Sequence, residues 1–212
     1  AEANAVCSVL AGSGYEVTTV IGEDQPAKNV FAALYQRPWR VVHISGHGVF
    51  DLAHADGGRR SGVVLSDGLL LTAAEIEAME VVPELVVLNC CHLGRFEMRE
   101  GNKLAASVAR ELIEIGVRCV LVAGWAVNDD GASLFGQTFY RDLLGRGQTF
   151  GDAVFEARRA LWQARPEDIT WGAFQAYGDP AWRAEPRAPA VASDTATPFA
   201  SPEELLDELA RI

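Results

Sequence analysis

The apolar run Val41-Val42-His43-Ile44-Ser45 ends at Gly46-His47-Gly48, and the run Leu85-Val86-Val87-Leu88 ends at Asn89-Cys90-Cys91-His92. Both are short, rich in β-branched residues and followed by glycine, as is Val117 to Ala123. Segments of this kind read as strands buried on both faces, which occur in parallel sheets covered by helices. Amphipathic patterns lie around them, over Pro26 to Tyr35, Lys103 to Ile115, Gly131 to Leu144 and Gly151 to Ala164. This order predicts an α/β fold, with a mainly parallel central sheet and helices on both faces.

The remaining elements are read from local signals. Ala1 to Ala11 is predicted to be a helix that begins without a cap, so the domain is expected to be truncated at its amino end. Tyr15 to Val20 alternates like a half-exposed strand, and Asp51 to Arg60 reads as a polar loop. Ser66-Asp67-Gly68 is expected to turn a hairpin between Ser61 to Leu65 and Leu69 to Leu71, with Thr72 capping a short helix to Met79. Trp171 to Tyr177 completes the sheet. The folded domain is expected over 1–183, followed by an Ala/Pro/Ser/Thr-rich linker over 184–200 and a short helix over 201–212 with Leu205, Leu206 and Leu209 on one face.

With 212 residues, 49% of them hydrophobic, the chain suffices for one well-buried domain. Eighteen Lys and Arg against 29 Asp and Glu give a net charge of −11, which argues against a nucleic-acid surface or an anionic membrane surface. No apolar stretch approaches the ~20 residues of a membrane span, and the four cysteines follow no secretory leader, so a reducing, cytoplasmic setting is expected. Cys7 and Cys119 lie in apolar segments and suit packing.

The chemistry gathers at the strand tips. A thiol becomes a nucleophile when a neighbouring imidazole takes its proton, and His47 and Cys91 meet if their strands are neighbours. Adjacent Cys90 and Cys91 fall on opposite faces of a strand, so at most one serves a given site. The Gly48 and Cys91 amides are candidate oxyanion donors. The same residues equally suit a packed, hydrogen-bonded strand end. His43, on the face of His47 and deeper in the sheet, reads as a buried hydrogen-bonded residue, and His92 either tunes the thiolate or is solvated. Zinc is the rival for these His and Cys residues, but no C-x-x-C spacing exists; neither metal nor cofactor is expected.

His43-x-x-x-His47-Gly48 followed by Leu88-x-x-Cys91-x-x-Gly94 resembles the CHAT family of caspase-like peptidases, related to separases. The resemblance extends through Val120 to Asp129, Phe139 to Leu144, Trp171-Gly172-Ala173-Phe174 and Gly178-Asp179-Pro180, covering Ala1 to Arg183. It implies a caspase-like sandwich in which His47 is the general base or imidazolium partner, Cys91 the nucleophile, and the Gly48 and Cys91 amides the oxyanion hole. The family often has Ser-Ala-Cys-Glu-Thr-Gly where this chain has Asn89 to Gly94.

The resemblance to separases also implies that Asp129 faces a basic substrate residue, with Asn89 and Trp125 expected to line the same pocket. A carboxylate there pairs bidentately with arginine. The competing role for Asp129 or Asp130 is to cap the helix starting near Gly131, with Asp130 capping while Asp129 reads substrate. The expected function is therefore a cysteine endopeptidase acting on a protein or peptide substrate after a basic residue, under a fused or associated sensor or regulatory domain. The alternative is a non-catalytic caspase-like docking module in a signalling or defence complex.

Overall fold

The computed structural model describes residues 2–22, 25–53, 58–92 and 98–184. Ala184, placed in the expected linker, is buried in the core; the rest of that linker and the terminal helix lie outside the described residues. Helix α1 (Glu2–Gly12) and helix α2 (Ala27–Leu34) precede β1 (Val41–Ala53), which turns into β2 (Arg59–Val64) and β3 (Leu70–Leu71). Helix α3 (Ala73–Glu77), β4 (Leu85–His92), α4 (Met98–Glu114) and β5 (Cys119–Ala123) follow. Helices α5 (Asp129–Tyr140) and α6 (Phe150–Ala164) then lead to β6 (Phe174–Gly178).

The strands form one six-stranded sheet in the order β3-β2-β1-β4-β5-β6. Its centre, β1-β4-β5, is parallel, whereas β1-β2, β2-β3 and β5-β6 are antiparallel. The sheet is mixed, not mainly parallel. The doubly apolar pattern holds for β4 and β5, which are buried on both faces, but β2 carries exposed Arg59 and Arg60 and β6 alternates from buried to exposed. β2 follows β1 as its antiparallel neighbour, whereas β6 runs antiparallel to β5 because two helices, α5 and α6, bring the chain back to the end at which β5 finished.

Strand alternation sorts the core into two layers. Odd positions Leu85, Val87, Cys119 and Leu121 pack with α1, α5 and α6, around Val6, Phe135, Phe139, Tyr140 and Leu161. Even positions Val42, Val86, Leu88, Cys90, Val120 and Val122 pack with α2, α3 and α4, around Leu34, Ile76, Ala109 and Leu112. Helices therefore cover both faces, as the apolar strands require.

Several boundaries move. Residues 15–20 form no strand, although Tyr15 and Val17 pack against the first layer; alternation sets which side chains are buried without supplying a hydrogen-bonding neighbour. The polar segment after Phe50 extends β1 to Ala53, where Leu52 and Ala53 pair with Arg60 and Arg59, so an exposed ribbon stands where a loop was expected. Helix α4 begins at Met98, and Ile169–Gly172 is a 3₁₀ turn ahead of β6. Thr72 does cap α3, in a full capping box with Glu75. A 3₁₀ turn over Ser66–Gly68, with Gly68 at φ 71°, joins β2 to β3.

Candidate active site

Parallel pairing of β1 with β4 puts Ser45 opposite Asn89, Gly46 opposite Cys90, His47 opposite Cys91 and Gly48 opposite His92. The two sequence candidates thus share one rung, at the ~4.8 Å spacing of neighbouring strands. Pairing of β5 with β4 stops at Leu88 opposite Val122, so this rung lies beyond the carboxyl end of β5. His47 is exposed there, while Gly48 is buried on a rung that also includes Val63 of β2.

The two cysteines separate by alternation. Cys90 is 7% exposed, packs in the α2/α3/α4 layer, and its Sγ lies 4.0 Å from the Ile44 carbonyl. Position 91 belongs to the opposite face, with positions 87 and 89 of β4 and with 43, 45 and 47 of β1.

Behind the rung is a polar cluster that the sequence reading did not find. Glu2, in the first turn of α1, is nine-tenths buried. Its Oε2 accepts hydrogen bonds from Ser45 Oγ (2.8 Å) and Asn89 Nδ2 (2.6 Å), and its Oε1 lies 3.5 Å from His43 Nε2. His43 Nε2 is 3.1 Å from Ser45 Oγ, and His43 Nδ1 is 3.0 Å from the Tyr140 hydroxyl. Since Ser45 spends its single O–H on Glu2, its oxygen accepts from His43 Nε2–H; Nδ1 then accepts from Tyr140. Donors therefore run in one direction, from Tyr140 through His43 and Ser45 to the carboxylate. Burial alone would raise the Glu2 pKa, but the hydrogen bonds from His43, Asn89 and Ser45 hold it below the usual value. Burial, and next the Glu2 charge, push the Tyr140 phenol well above its ordinary range.

The signal for this cluster was present: Glu2, Val6 and Leu10, spaced by four, are the buried residues of α1, and an acid in that stripe is out of place unless it has partners. His43 is the hydrogen-bonded residue expected of it, and Asn89 is tied to Glu2 on the shared face.

At the next tip, Asn128, and not Asp130, caps α5, its Oδ1 accepting from Gly131 N at 2.8 Å. A would-be Cβ at Gly131 sits 3.1 Å from that same oxygen, so the cap seats closely on this glycine. Asp130 pairs with Arg165 at 2.9 Å. Asp129 is exposed in the first helical turn, where its charge also suits the helix dipole. Tyr140 touches His43, and Asp129 lies eleven residues before it, ~16 Å along a helix at 1.5 Å per residue. His47 lies four residues past His43, ~13 Å along a strand. Asp129 and His47 thus reach the same end of the sheet. Trp125 is half-buried, with its ring against Gly172 and its indole N–H unpartnered among the described residues.

Among the described residues no group of three or more His, Cys, Asp or Glu is placed to hold a metal ion, and no helix is long and apolar enough to cross a membrane.

Comparison with known proteins bears on family and fold. A family model described as the CHAT domain matches residues 1–179. The crystal structure of the Arg-specific cysteine proteinase gingipain R matches with a TM-score of 0.54 and 14% identity, over 85% of this chain and 41% of that one. That likeness is one of fold, and the chain spans well under half of the matched structure's length. A search of the curated proteins finds no match.

Proposed function

Because the chain belongs to the CHAT-domain family, a caspase-like family that includes cysteine peptidases, we propose that it is a cysteine endopeptidase working through His47 and Cys91. The observation that carries this reading is the shared rung of the two residues at the carboxyl end of the central parallel strands, with Cys90 committed to the core. An open α/β sheet gathers its reacting groups at that end.

In the proposed reaction His47 accepts the Cys91 thiol proton, and the thiolate attacks the scissile carbonyl carbon. The resulting oxyanion is held by the Gly48 and Cys91 amides, each worth ~3 kcal/mol where a donor meets the developing charge. Collapse breaks the C–N bond as the imidazolium protonates the leaving amine. Water, deprotonated by His47, then releases the acyl group from sulfur and returns the proton to the thiolate.

For the substrate we propose a basic residue before the cut, read by Asp129, with Trp125 as a wall and Asn89 at the inner edge of the pocket. Support comes from the exposed position of Asp129 at the site's end of α5; gingipain R, which shares the fold, is Arg-specific. A protein substrate in a reducing, cytoplasmic compartment, and control by a fused or associated regulatory domain, complete the proposal.

The test is cleavage of a peptide library by wild type, Cys91→Ala and Asp129→Ala. Cuts after Arg or Lys, lost in Cys91→Ala and redistributed in Asp129→Ala, are expected. Turnover surviving Cys91→Ala refutes the nucleophile; an unchanged profile in Asp129→Ala refutes the specificity residue. Binding without turnover by a chain whose Cys91 shows no raised reactivity supports the docking-module alternative.

A further inference from the structure

We propose that Glu2 is a positioning residue for the His47 and Cys91 pair, its buried carboxylate clamping Ser45 to Asn89 on the same-face rung directly behind theirs. This rests on the dyad reading above. Ser45 and Asn89 are register partners, and each lies two residues before a member of the dyad. The two rungs are therefore ~6.6 Å apart along the strands. One oxygen, Glu2 Oε2, takes a hydrogen bond from each strand, at 2.8 and 2.6 Å. A single acceptor shared in this way ties the lateral position of one strand tip to the other.

The clamp comes from outside the sheet. Helix α1 approaches α5 so closely that a Cβ at Gly136 would sit 3.0 Å from Val6 Cγ2 and 3.8 Å from Glu2 Oε1. That approach delivers the carboxylate to the rung, while Tyr140 and His43 brace it through the one-way chain of donors. Packing alone does not call for an ion here, because burying a carboxylate costs more than an apolar residue at the same place. Nor does the charge drive thiolate formation: the thiolate and imidazolium are together neutral, so a nearby carboxylate favours one about as much as it disfavours the other. What the carboxylate supplies is placement, and placement of reacting groups has a steep effect on rate.

The experiment measures the rate at which iodoacetamide alkylates Cys91 in the full chain at pH 7, located by peptide mass spectrometry, which needs neither substrate nor activator. Glu2→Ala is expected to slow alkylation at least ~10-fold, whereas Glu2→Gln, whose carbonyl still accepts from both partners, stays within ~3-fold. Leu161→Ala, which opens a cavity under α6 and leaves α1 and the clamp in place, is expected to leave the rate unchanged. Asn89→Ala, expected to slow it ~5-fold, reads the same link should Glu2→Ala fail to fold. A folded Glu2→Ala or Asn89→Ala protein within twofold of wild type overturns the proposal, as does equal slowing by Leu161→Ala. His47→Ala separates the two readings: if it does not slow alkylation the dyad itself is wrong, and if it does while the clamp variants do not, only the Glu2 role falls.

Discussion

Replacing Glu2 by Gln changes one charge inside a cluster whose other members are known, so its effect on stability can be worked out in size and in sign. The carboxylate is nine-tenths buried and faces His43 and Ser45 from β1, Asn89 from β4, and Tyr140 beyond them from α5. The titratable groups around it are thus His43 and Tyr140, with Cys7 on its own helix acting on Tyr140. Hydrogen bonds to an ionised acceptor are worth ~1.5–3 kcal/mol and are roughly twice as strong as neutral ones. Substitution by Gln therefore forfeits about 2 kcal/mol over the Ser45 and Asn89 bonds, partly offset because a neutral amide is easier to bury, for a net loss of about 1.5 kcal/mol. For a chain of this size that is a fall in Tm of about 3–6 °C at pH 7.

The pH dependence follows from the depressed carboxyl pKa. A carboxyl whose folded value lies below its unfolded value contributes stability above the unfolded pKa, here the ordinary 4.5. That contribution is lost as pH falls through the folded value. The gap between wild type and Glu2→Gln, followed by thermal or urea unfolding, should be full from pH 7 to pH ~5 and close below pH ~4.5. A gap that stays constant down to pH ~3, or a variant more stable than wild type at pH 7, refutes the argument that a buried, ionised Glu2 holds the rung.

Other parts of the molecule give independent tests. Gly178 has φ 106°, and a Cβ there would run into the Arg118 carbonyl oxygen, so Gly178→Ala should cost about 3 kcal/mol and lower Tm by about 6–12 °C, as read by calorimetry; a loss under about 1 kcal/mol contradicts the close approach of β6 to β5. Cys119 is fully buried, and burial, opposed by its hydrogen bond to the Asp179 carbonyl, pushes its thiol up to about 11. It should therefore resist iodoacetamide in the native protein at pH ~8 and react only on unfolding; rapid native labelling contradicts that burial. The Arg165 to Asp130 pair is exposed, so Arg165→Ala should change stability by no more than about 1 kcal/mol in urea unfolding; a larger loss assigns the pair a structural role that its exposure does not suggest.

What was legible in the sequence was whatever depends on local period. The apolar runs of β1, β4 and β5 announced the parallel centre, and the two-residue pleat separated Cys90 from Cys91 before any coordinates. Thr72 was legible as the cap of α3, and the structure adds Glu75 as its partner in a capping box. The direction of β2 and β6 was not legible, because the direction of a strand beside the parallel centre depends on how the chain returns to the sheet rather than on its own pattern. The Asn128 cap was hidden by Asp129 and Asp130, both acceptable caps one and two residues later. Glu2 was missed for a different reason: its partners Ser45 and Asn89 are over forty residues away in sequence, and only the pairing of β1 with β4 brings them to one carboxylate.

The central claim is that Cys91, activated by His47, is the nucleophile. It is tested most directly by labelling the intact chain with peptidyl acyloxymethyl ketones that carry Arg, Lys, Asp or Leu beside the reactive group, then locating the adduct by mass spectrometry. The account predicts a thioether on Cys91, fastest with Arg or Lys, abolished in Cys91→Ala, greatly slowed in His47→Ala and untouched by Cys90→Ala. An adduct on Cys90, or labelling of Cys91 that proceeds equally well without His47, contradicts it.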